Sequence, residues 1–585
     1  MELFLQYMLA VSKFALIVLS VMIIVRCIRS MLSERYEPEV WAYVRVGREN
    51  VPVYHWENTI GRSGGADIRV DKPGIGRIHA VLKRSDHGTW TIYDVFSKGG
   101  VWVNGIRVGG GLDVQHGDVI NLAGSCVRFL DISQEKMDKI EKARTQVGKR
   151  ISPSITLVEL TLFELFLLAE HMMSAKADCI LGIGVAFAAL ILMQWICYNS
   201  MRIIDRSGFE VETIAFYLTA LGVSVAVSST PEDMYKHILL MFASVLLFLI
   251  GGWWLRSLRR TEAVRIPVAI LALGLLALNV LTSEEIFGAR NWLQFGGYSF
   301  QPSEFVKVAY VYVGASTLDR LYRKKNLFSF ILFSAACVMA LALMGDFGTA
   351  LVFFVCFLII SFMRSGSIAT VFLAISGAGL AGFLAVSVKP YIAQRFASWG
   401  HVWEDVYDKG YQQTRAMSAA ASGGLFGKGA GQGWLKDIFA ANTDMVFAVI
   451  CEELGLIIAV CMVLAVLTLA FFAVRTARHG RSAYNAIAAC SSTAILLTQL
   501  GLNVFGSLDI LPFTGVTFPF VSRGGSSLLS CWMLMAFIKG ADNRKGSSFA
   551  VRAGRVNTEA KEAAQYRDRG RDYLYNRSEG EEEQR

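Results

Sequence analysis

The chain has 585 residues, of which 54% are hydrophobic and only 18% charged, and its net charge is +9. Soluble domains carry about a quarter charged residues, and here the apolar residues gather into runs of about 20, the length that spans a bilayer; this excludes a soluble enzyme and implies a multi-pass membrane protein. Arg and Lys cluster at the ends of those runs, which is a membrane-topology pattern and not a nucleic-acid footprint, and the ten cysteines form no CxxC pairs, which argues against a disulfide framework or a zinc site.

The first apolar run covers residues 5–25 and is followed by Arg26, Arg29 and Arg35. No basic segment precedes it and no small-residue cleavage site follows, so residues 1–30 read as a retained transmembrane anchor with Met1 outside. Residues 40–132 change character: TWTIYDV, GVWVNGIRV and DVINLAG alternate as strands do and are separated by glycine turns, the pattern of an all-β sandwich, here in the cytoplasm. A basic linker, 133–153, leads to an extra transmembrane hairpin, 154–200, built from runs 155–173 and 178–198. Its first run carries Glu159, Glu164 and Glu170, which face either a bundle interior or the membrane interface. Ten further spans lie near 211–228, 236–255, 265–282, 301–319, 327–344, 348–363, 368–388, 446–474, 484–500 and 524–540. The fold class is therefore a membrane all-α helical bundle, with its core at 211–541 and an inserted β domain. Basic loops at 256–260, 319–325, 363–366 and 474–481 belong in the cytoplasm, which leaves polar loops 283–300 and 389–443 outside. The tail, 542–585, has too few aliphatic residues to hold a core and is expected to be a disordered cytoplasmic segment, with at most a short helix near 558–564.

Acidic residues beside a membrane are rare and usually mark a site. They occur here in WEDVYDKGYQ from Trp403 and NTDMVFAVICEELG from Asn442, with the glycine-rich ASGGLFGKGAGQG from Ala421 between them. Three more blocks accompany them: GARNWLQFGGYSFQPSEFVK from Gly288, GDFGTALV from Gly345 and LPFTGVTFPFVSRGGSS from Leu511. In these blocks, their order and their spacing, the chain resembles the SEDS family, the FtsW/RodA/SpoVE group, from Thr213 to Lys539. The resemblance implies a membrane glycosyltransferase of the cytoplasmic membrane that polymerises lipid II into peptidoglycan at the outer face, in elongation, division or sporulation. It also implies a class B penicillin-binding transpeptidase as partner. No cofactor is evident, and a divalent cation is left open.

Residues 40–132 resemble a forkhead-associated (FHA) domain through Gly61-Arg62, His79, Asp94-x-x-Ser97, Val103-Asn104-Gly105 and Gly117-Asp118. That resemblance implies recognition of a phosphothreonine protein or a kinase by Arg62, Arg77, His79 and Lys98. The chain departs from the pattern at Gly76, where the family has Ser, and at Gly99-Gly100-Val101, where it has Asn-Gly-Thr. A docking module that does not read phosphate is the second reading.

Joining two lipid-linked sugars needs a carboxylate to take the proton of the attacking hydroxyl, cations around the departing pyrophosphate, and room for an oxocarbenium-like centre. The resemblance assigns the base to Asp405, five residues before Gly410-Tyr411-Gln412, with Glu404 and Asp408 as neighbours in competition; Val406 replaces the family's Pro. It matches Arg290 to a family arginine that binds substrate, with an interfacial anchor beside Trp292 as the alternative, and favours Glu304 and Lys307 at the substrate cavity; Arg395, just outside run 368–388, and Glu452 are further substrate-binding candidates. Glu304 and Lys307, three apart on a helix, either neutralise each other or line the cavity. Glu452 or Glu453 is expected to tie loop 389–443 to the helices, Asp444 to cap the helix that follows it, and Asp346 to mark a break between two helices. Arg523 stands where the family has Tyr. Gly423–Gly433 has the glycine content of a phosphate loop without the Gly-Lys-Ser/Thr ending. A lipid II flippase and a non-catalytic scaffold are the rivals; a base outside the membrane favours the polymerase.

Overall fold

The computed structural model describes residues 2–33, 40–85, 88–95, 97–132, 151–203, 208–284, 290–295, 298–318, 324–365, 368–388, 397–480 and 482–544. Most of linker 133–153, most of tail 542–585 with its 558–564 segment, and Arg395 lie outside them. The chain divides into two compact units, one of β-strands and one mostly of helices, which also holds a two-stranded hairpin of Leu293–Phe295 and Tyr298–Phe300.

The β unit is a sandwich of two sheets. One has the strand order β2 (Glu49–Val53), β1 (Ala42–Val46), β11 (Ser125–Asp131), β10 (Val119–Leu122), β7 (Val101–Val103), β8 (Ile106–Arg107). The other runs β4 (Ile68–Arg69), β3 (Glu57–Gly61), β5 (Ala80–Arg84), β6 (Trp90–Asp94), β9 (Leu112–Val114). Alternation sends one side of each strand inward, so Val44, Ile60, Leu82, Ile92, Val101, Ile120 and Phe129 are buried in one core. The β7–β8 hairpin pairs Val103 with Ile106, which leaves Asn104 and Gly105 as a two-residue turn. Both have positive φ, 48° and 84°, as a turn that matches strand twist requires. Asn104 is held there by donating to Asp118 at 2.8 Å and accepting from the Val119 amide at 2.9 Å.

The helical unit contains α1 (Glu2–Ser33), α2 (Pro153–Ser174), α3 (Ile180–Ile203), α4 (Glu210–Ser229), α5 (Met234–Trp254), α6 (Arg265–Thr282), α7 (Pro302–Leu318) and α8 (Lys324–Met344). It continues with α9 (Phe347–Ser365), α10 (Ile368–Val388), α11 (Tyr411–Gly423), α12 (Val446–Glu453), α13 (Leu456–Arg478), α14 (Ala483–Ser507) and α15 (Gly525–Gly540). Every apolar run read from the sequence is helical. Among the described residues seven helices are long and apolar enough to cross a membrane, with two shorter apolar helices at Phe328–Met344 and Phe347–Met363. This is a membrane protein.

Two expectations are corrected. The run 446–474 is not one helix: it breaks at Gly455, whose φ is 91°. A Cβ there would lie 2.4 Å from the Leu425 carbonyl oxygen, so the break admits the backbone of a neighbouring loop. Asp444 does not cap α12 either. It ends a separate turn, Ala441–Asp444, and Met445 stands at the cap position without a side-chain bond.

Helix α4 is the centre of the bundle, with 18 of its 20 residues buried. Its first turn brings Glu210 and Glu212 into the interior, where an unpaired charge is costly. Arg544 meets Glu210 at 2.9 Å and Asp542 at 2.9 Å, and Lys539 meets Glu212 at 3.1 Å. Ser30 of α1 donates to Glu210 at 2.7 Å. This network joins α1, α4 and the end of α15. Arg544→Met should lower stability by about 3–5 kcal/mol, because Glu210 and Asp542 lose their guanidinium. Adding Glu210→Gln and Asp542→Asn should recover much of it. Thermal unfolding of the three proteins in one detergent checks this: equal melting of Arg544→Met and wild type contradicts the network.

Candidate active site

Asp405 lies in a series of turns between residues 397 and 410. Three bonds fasten this segment and the start of α11 to the end of α14. Trp399 Nε1 donates to the Ile510 carbonyl at 3.2 Å, the Gly400 amide to Asp509 Oδ1 at 3.2 Å, and Gln413 Nε2 to Asp509 Oδ1 at 3.1 Å. Asp509 reaches them from a left-handed conformation, φ 58°. Gly410 closes the turn, its amide donating to the Asp405 carbonyl at 2.9 Å; a Cβ there would sit 2.1 Å from the Val402 oxygen. The turn therefore requires glycine. Asp405 is half-buried, and among the described residues its carboxylate makes no hydrogen bond or ion pair. Its two rivals differ: Glu404 is exposed and bonded to His401 at 3.1 Å, and Asp408 is exposed.

Beyond α11 the glycine-rich segment turns back on itself. Its amides are already occupied. Ala430 donates to Glu170 at 2.9 Å, Gly431 to Glu453 at 3.0 Å, Trp434 to Glu452 at 3.2 Å and Leu435 to Glu452 at 3.0 Å. A phosphate loop offers such amides to its ligand; this loop spends them on carboxylates. Lys428 adds an ion pair to Glu452 at 2.7 Å, and Ser228 of α4 donates to Glu453 at 2.6 Å. Both glutamates are buried, and both tie the loop to the helices. Gly423 and Gly427 let the two backbones touch, since a Cβ would fall 2.0 Å from the Cys451 oxygen and 2.3 Å from the Glu453 oxygen.

On α7, Lys307 Nζ lies 2.7 Å from Glu304 Oε2, with the side chains 2% and 4% exposed, and Ser530 of α15 donates to the same oxygen at 2.7 Å. The pair is an interior bridge between α7 and α15. Nearby, Asp346 accepts from the Thr349 amide at 3.0 Å and so caps α9 after the break at Gly345. Gln301 donates to Asp346 at 3.3 Å. The Arg290 side chain is exposed, and its amide donates to the Met344 carbonyl at 2.8 Å, which sets it beside that same break. Arg523 pairs with Asp233 at 3.0 Å, while its amide donates to Asn442 at 2.8 Å.

In the β unit, His79 is fully buried. It accepts from the Gly76 amide at 3.1 Å through Nδ1, and its Nε2 lies 3.2 Å from the Gly100 carbonyl. The imidazole thus joins the loop of Arg77 to the loop of Lys98, while the Ser63 amide donates to the Arg77 carbonyl at 3.0 Å and brings in the loop of Arg62. Arg62, Arg77 and Lys98 are exposed. His79 shapes this edge from beneath; the three cations face outward.

Sequence reasoning missed the roles of Asp509, Asn503 and Glu170. Asn503, a polar residue within an apolar helix, bridges the Asp444 and Val516 carbonyls at 2.9 Å each. Polar groups at such positions usually hold helices and breaks together, which is the signal that was present. Among the described residues no group of three or more His, Cys, Asp or Glu is arranged to hold a metal ion.

Residues 211–546 match the model of the FtsW/RodA/SpoVE "cell cycle protein" family, and residues 58–123 match the FHA domain. The probable peptidoglycan glycosyltransferase FtsW of Borreliella burgdorferi is 30% identical over 341 residues, 56% of this chain and 91% of that protein. Stage V sporulation protein E of Bacillus subtilis is 34% identical over 261 residues, 43% of this chain and 69% of that protein. A chain of a solved peptidoglycan synthase complex is 25% identical, covering 58% of this chain and 98% of its own length, with a TM-score of 0.49.

The α7 pair yields a test of whether its charges serve the fold alone. Lys307→Ala strands a buried Glu304 and should cost about 3–5 kcal/mol. Glu304→Gln with Lys307→Met removes both charges and should recover the melting temperature but not enzymatic activity. Full activity in that double variant would show the pair to be purely structural.

Proposed function

The chain belongs to the FtsW/RodA/SpoVE family, and from that premise we propose that it is a peptidoglycan glycosyltransferase that polymerises lipid II at the outer face of the cytoplasmic membrane. The observation that carries the mechanism is Asp405: a half-buried carboxylate without a partner among the described residues, on a turn fixed by Gly410 and Asp509. Asp405 takes the proton from the 4-hydroxyl of the acceptor sugar as that oxygen bonds to the anomeric carbon of the donor. The bond from that carbon to the pyrophosphate breaks, and undecaprenyl pyrophosphate leaves. Arg290 and Arg395 meet the charge that builds on the leaving group, where a planar guanidinium matches phosphate oxygens. The Glu304–Lys307 pair holds α7 to α15, and Glu452 fixes the glycine-rich loop.

In this reading, residues 389–443 lie outside and the β unit and C-terminus lie in the cytoplasm. A class B penicillin-binding transpeptidase crosslinks the product. The β unit recruits a threonine-phosphorylated protein through Arg62, Arg77 and Lys98.

Two experiments test these assignments. Purified protein with labelled lipid II should yield glycan polymer, with and without a class B transpeptidase. Asp405→Asn, nearly unchanged in size, should polymerise about 10²–10⁴-fold more slowly at normal expression. Wild-type rates in that variant would remove Asp405 as the base. For the β unit, the full-length protein in detergent should prefer phosphothreonine peptides over unphosphorylated twins, and Arg62→Ala should abolish the preference, since Arg–phosphate bonds are about twice as strong as neutral ones. Equal binding to both peptides would leave a docking role that ignores phosphate.

A further inference from the structure

The glycine-rich loop is held in part by helices that precede the family-matched segment, which begins at residue 211. Both hydrogen-bonding groups of Ala430 end on one turn of α2: its amide donates to Glu170 Oε2 at 2.9 Å, and its carbonyl accepts from Ser174 Oγ at 2.8 Å. Helix α1 adds Lys13, whose Nζ donates to the Gly427 carbonyl at 2.9 Å, and Ser12, whose Oγ donates to the other oxygen of Glu170 at 2.8 Å. The fit is close: a Cβ on Gly431 would lie 2.6 Å from Ser174 Oγ. Glu170 is fully buried, and the next residue, His171, lies 2.8 Å from Ser224 Oγ of α4, which anchors this turn of α2 to the centre of the bundle.

A buried carboxylate is an expensive way to hold a surface loop unless the loop's position matters. The loop joins α11 to α12. Helix α11 has 13 residues, about 20 Å of rigid rod at 1.5 Å per residue, and its other end carries the Asp405 turn. Displacing one end of that rod moves the other.

We propose that Glu170, with Ser174, Ser12 and Lys13, is a positioning device for the polymerisation site: α1 and α2 brace the 424–435 loop and thereby set the Asp405 turn. This rests on the glycosyltransferase reading for its enzymatic consequence, but the brace itself is observable without activity.

The test uses the full-length protein in one detergent and three variants. Hydrogen–deuterium exchange reads the amides of 424–435 and of 397–410, with residues 461–478 of α13 and all of α14 as internal controls; polymerisation of labelled lipid II reads activity. Glu170→Ala should exchange about 10- to 100-fold faster across 424–435, the range for losing one hydrogen bond to a charged group, with the control segments unchanged. Its kcat should fall about 10- to 100-fold, as a misplacement of about 1 Å does, with KM little altered. Glu170→Gln keeps an acceptor for the Ala430 amide and should restore both readouts. Ser174→Ala removes only the Ala430 carbonyl's partner and gives a smaller change of the same sign, which serves if Glu170→Ala does not fold. Unchanged loop exchange in both Glu170→Ala and Ser174→Ala overturns the proposal, as does faster exchange with wild-type kcat. A wild-type protein that makes no polymer would instead overturn the glycosyltransferase reading, and exchange would still decide whether the brace exists.

Discussion

Four consecutive-region amides, those of Ala430, Gly431, Trp434 and Leu435, end on the buried carboxylates of Glu170, Glu453 and Glu452. An amide bonded to a charged acceptor is worth more than a neutral pair, and a buried carboxylate left without donors is heavily penalised. Loop and glutamates therefore need each other. The glycines follow from the same constraint. Gly423 and Gly427 let the loop's backbone pass against that of 451–455, and the break at Gly455 opens the helix pair to receive it. Without that break, α12 and α13 would run as one rod and the loop would have no seat.

Helix α1 is held at two places far apart along its length. Lys13 and Ser12 reach the loop and its glutamate; Ser30 donates to Glu210, and the Met31 carbonyl accepts from Arg475 at 2.6 Å. The two points are about 26 Å apart at 1.5 Å per residue. Between them Arg26 pairs with Glu159 of α2 at 3.1 Å. Anchor and hairpin are thus built into the bundle by the polar residues that make them unusual membrane helices, and the β domain is threaded in sequence between these same two helices.

Much of the fold was legible because its physics is local. A span needs about 20 apolar residues, so each run announced a helix. GVWVNGIRV, which alternates like a single strand, is instead a hairpin of β7 and β8 turned at Asn104–Gly105, where two adjacent positive φ angles favour those residues. Asp346 read correctly as a break, since a cap and a positive-φ glycine stand side by side there. What failed to show depended on distant packing. The composition of Leu454-Gly455-Leu456 continues an apolar run, and only the approach of Leu425 explains the interruption. Glu159, Glu164 and Glu170 admitted an interior or an interfacial placement; all three are buried, partnered in that order by Arg26, Gln194 and the Ala430 amide. No pattern in sequence pairs Glu170 with a residue 260 positions away. At the site itself, Asp405 was named from resemblance, whereas the residues that hold its turn, Asp509 and Gly410, emerged from geometry.

On the proposed mechanism Asp405 faces the acceptor sugar. A structure of the full-length protein with lipid II bound tests it most directly. The 4-hydroxyl of one sugar is expected within hydrogen-bond reach of the Asp405 carboxylate, about 2.6–3.2 Å, directly or through one water, and the other lipid's pyrophosphate near Arg290. Sugars bound elsewhere, with Asp405 facing bulk solvent, would contradict the mechanism.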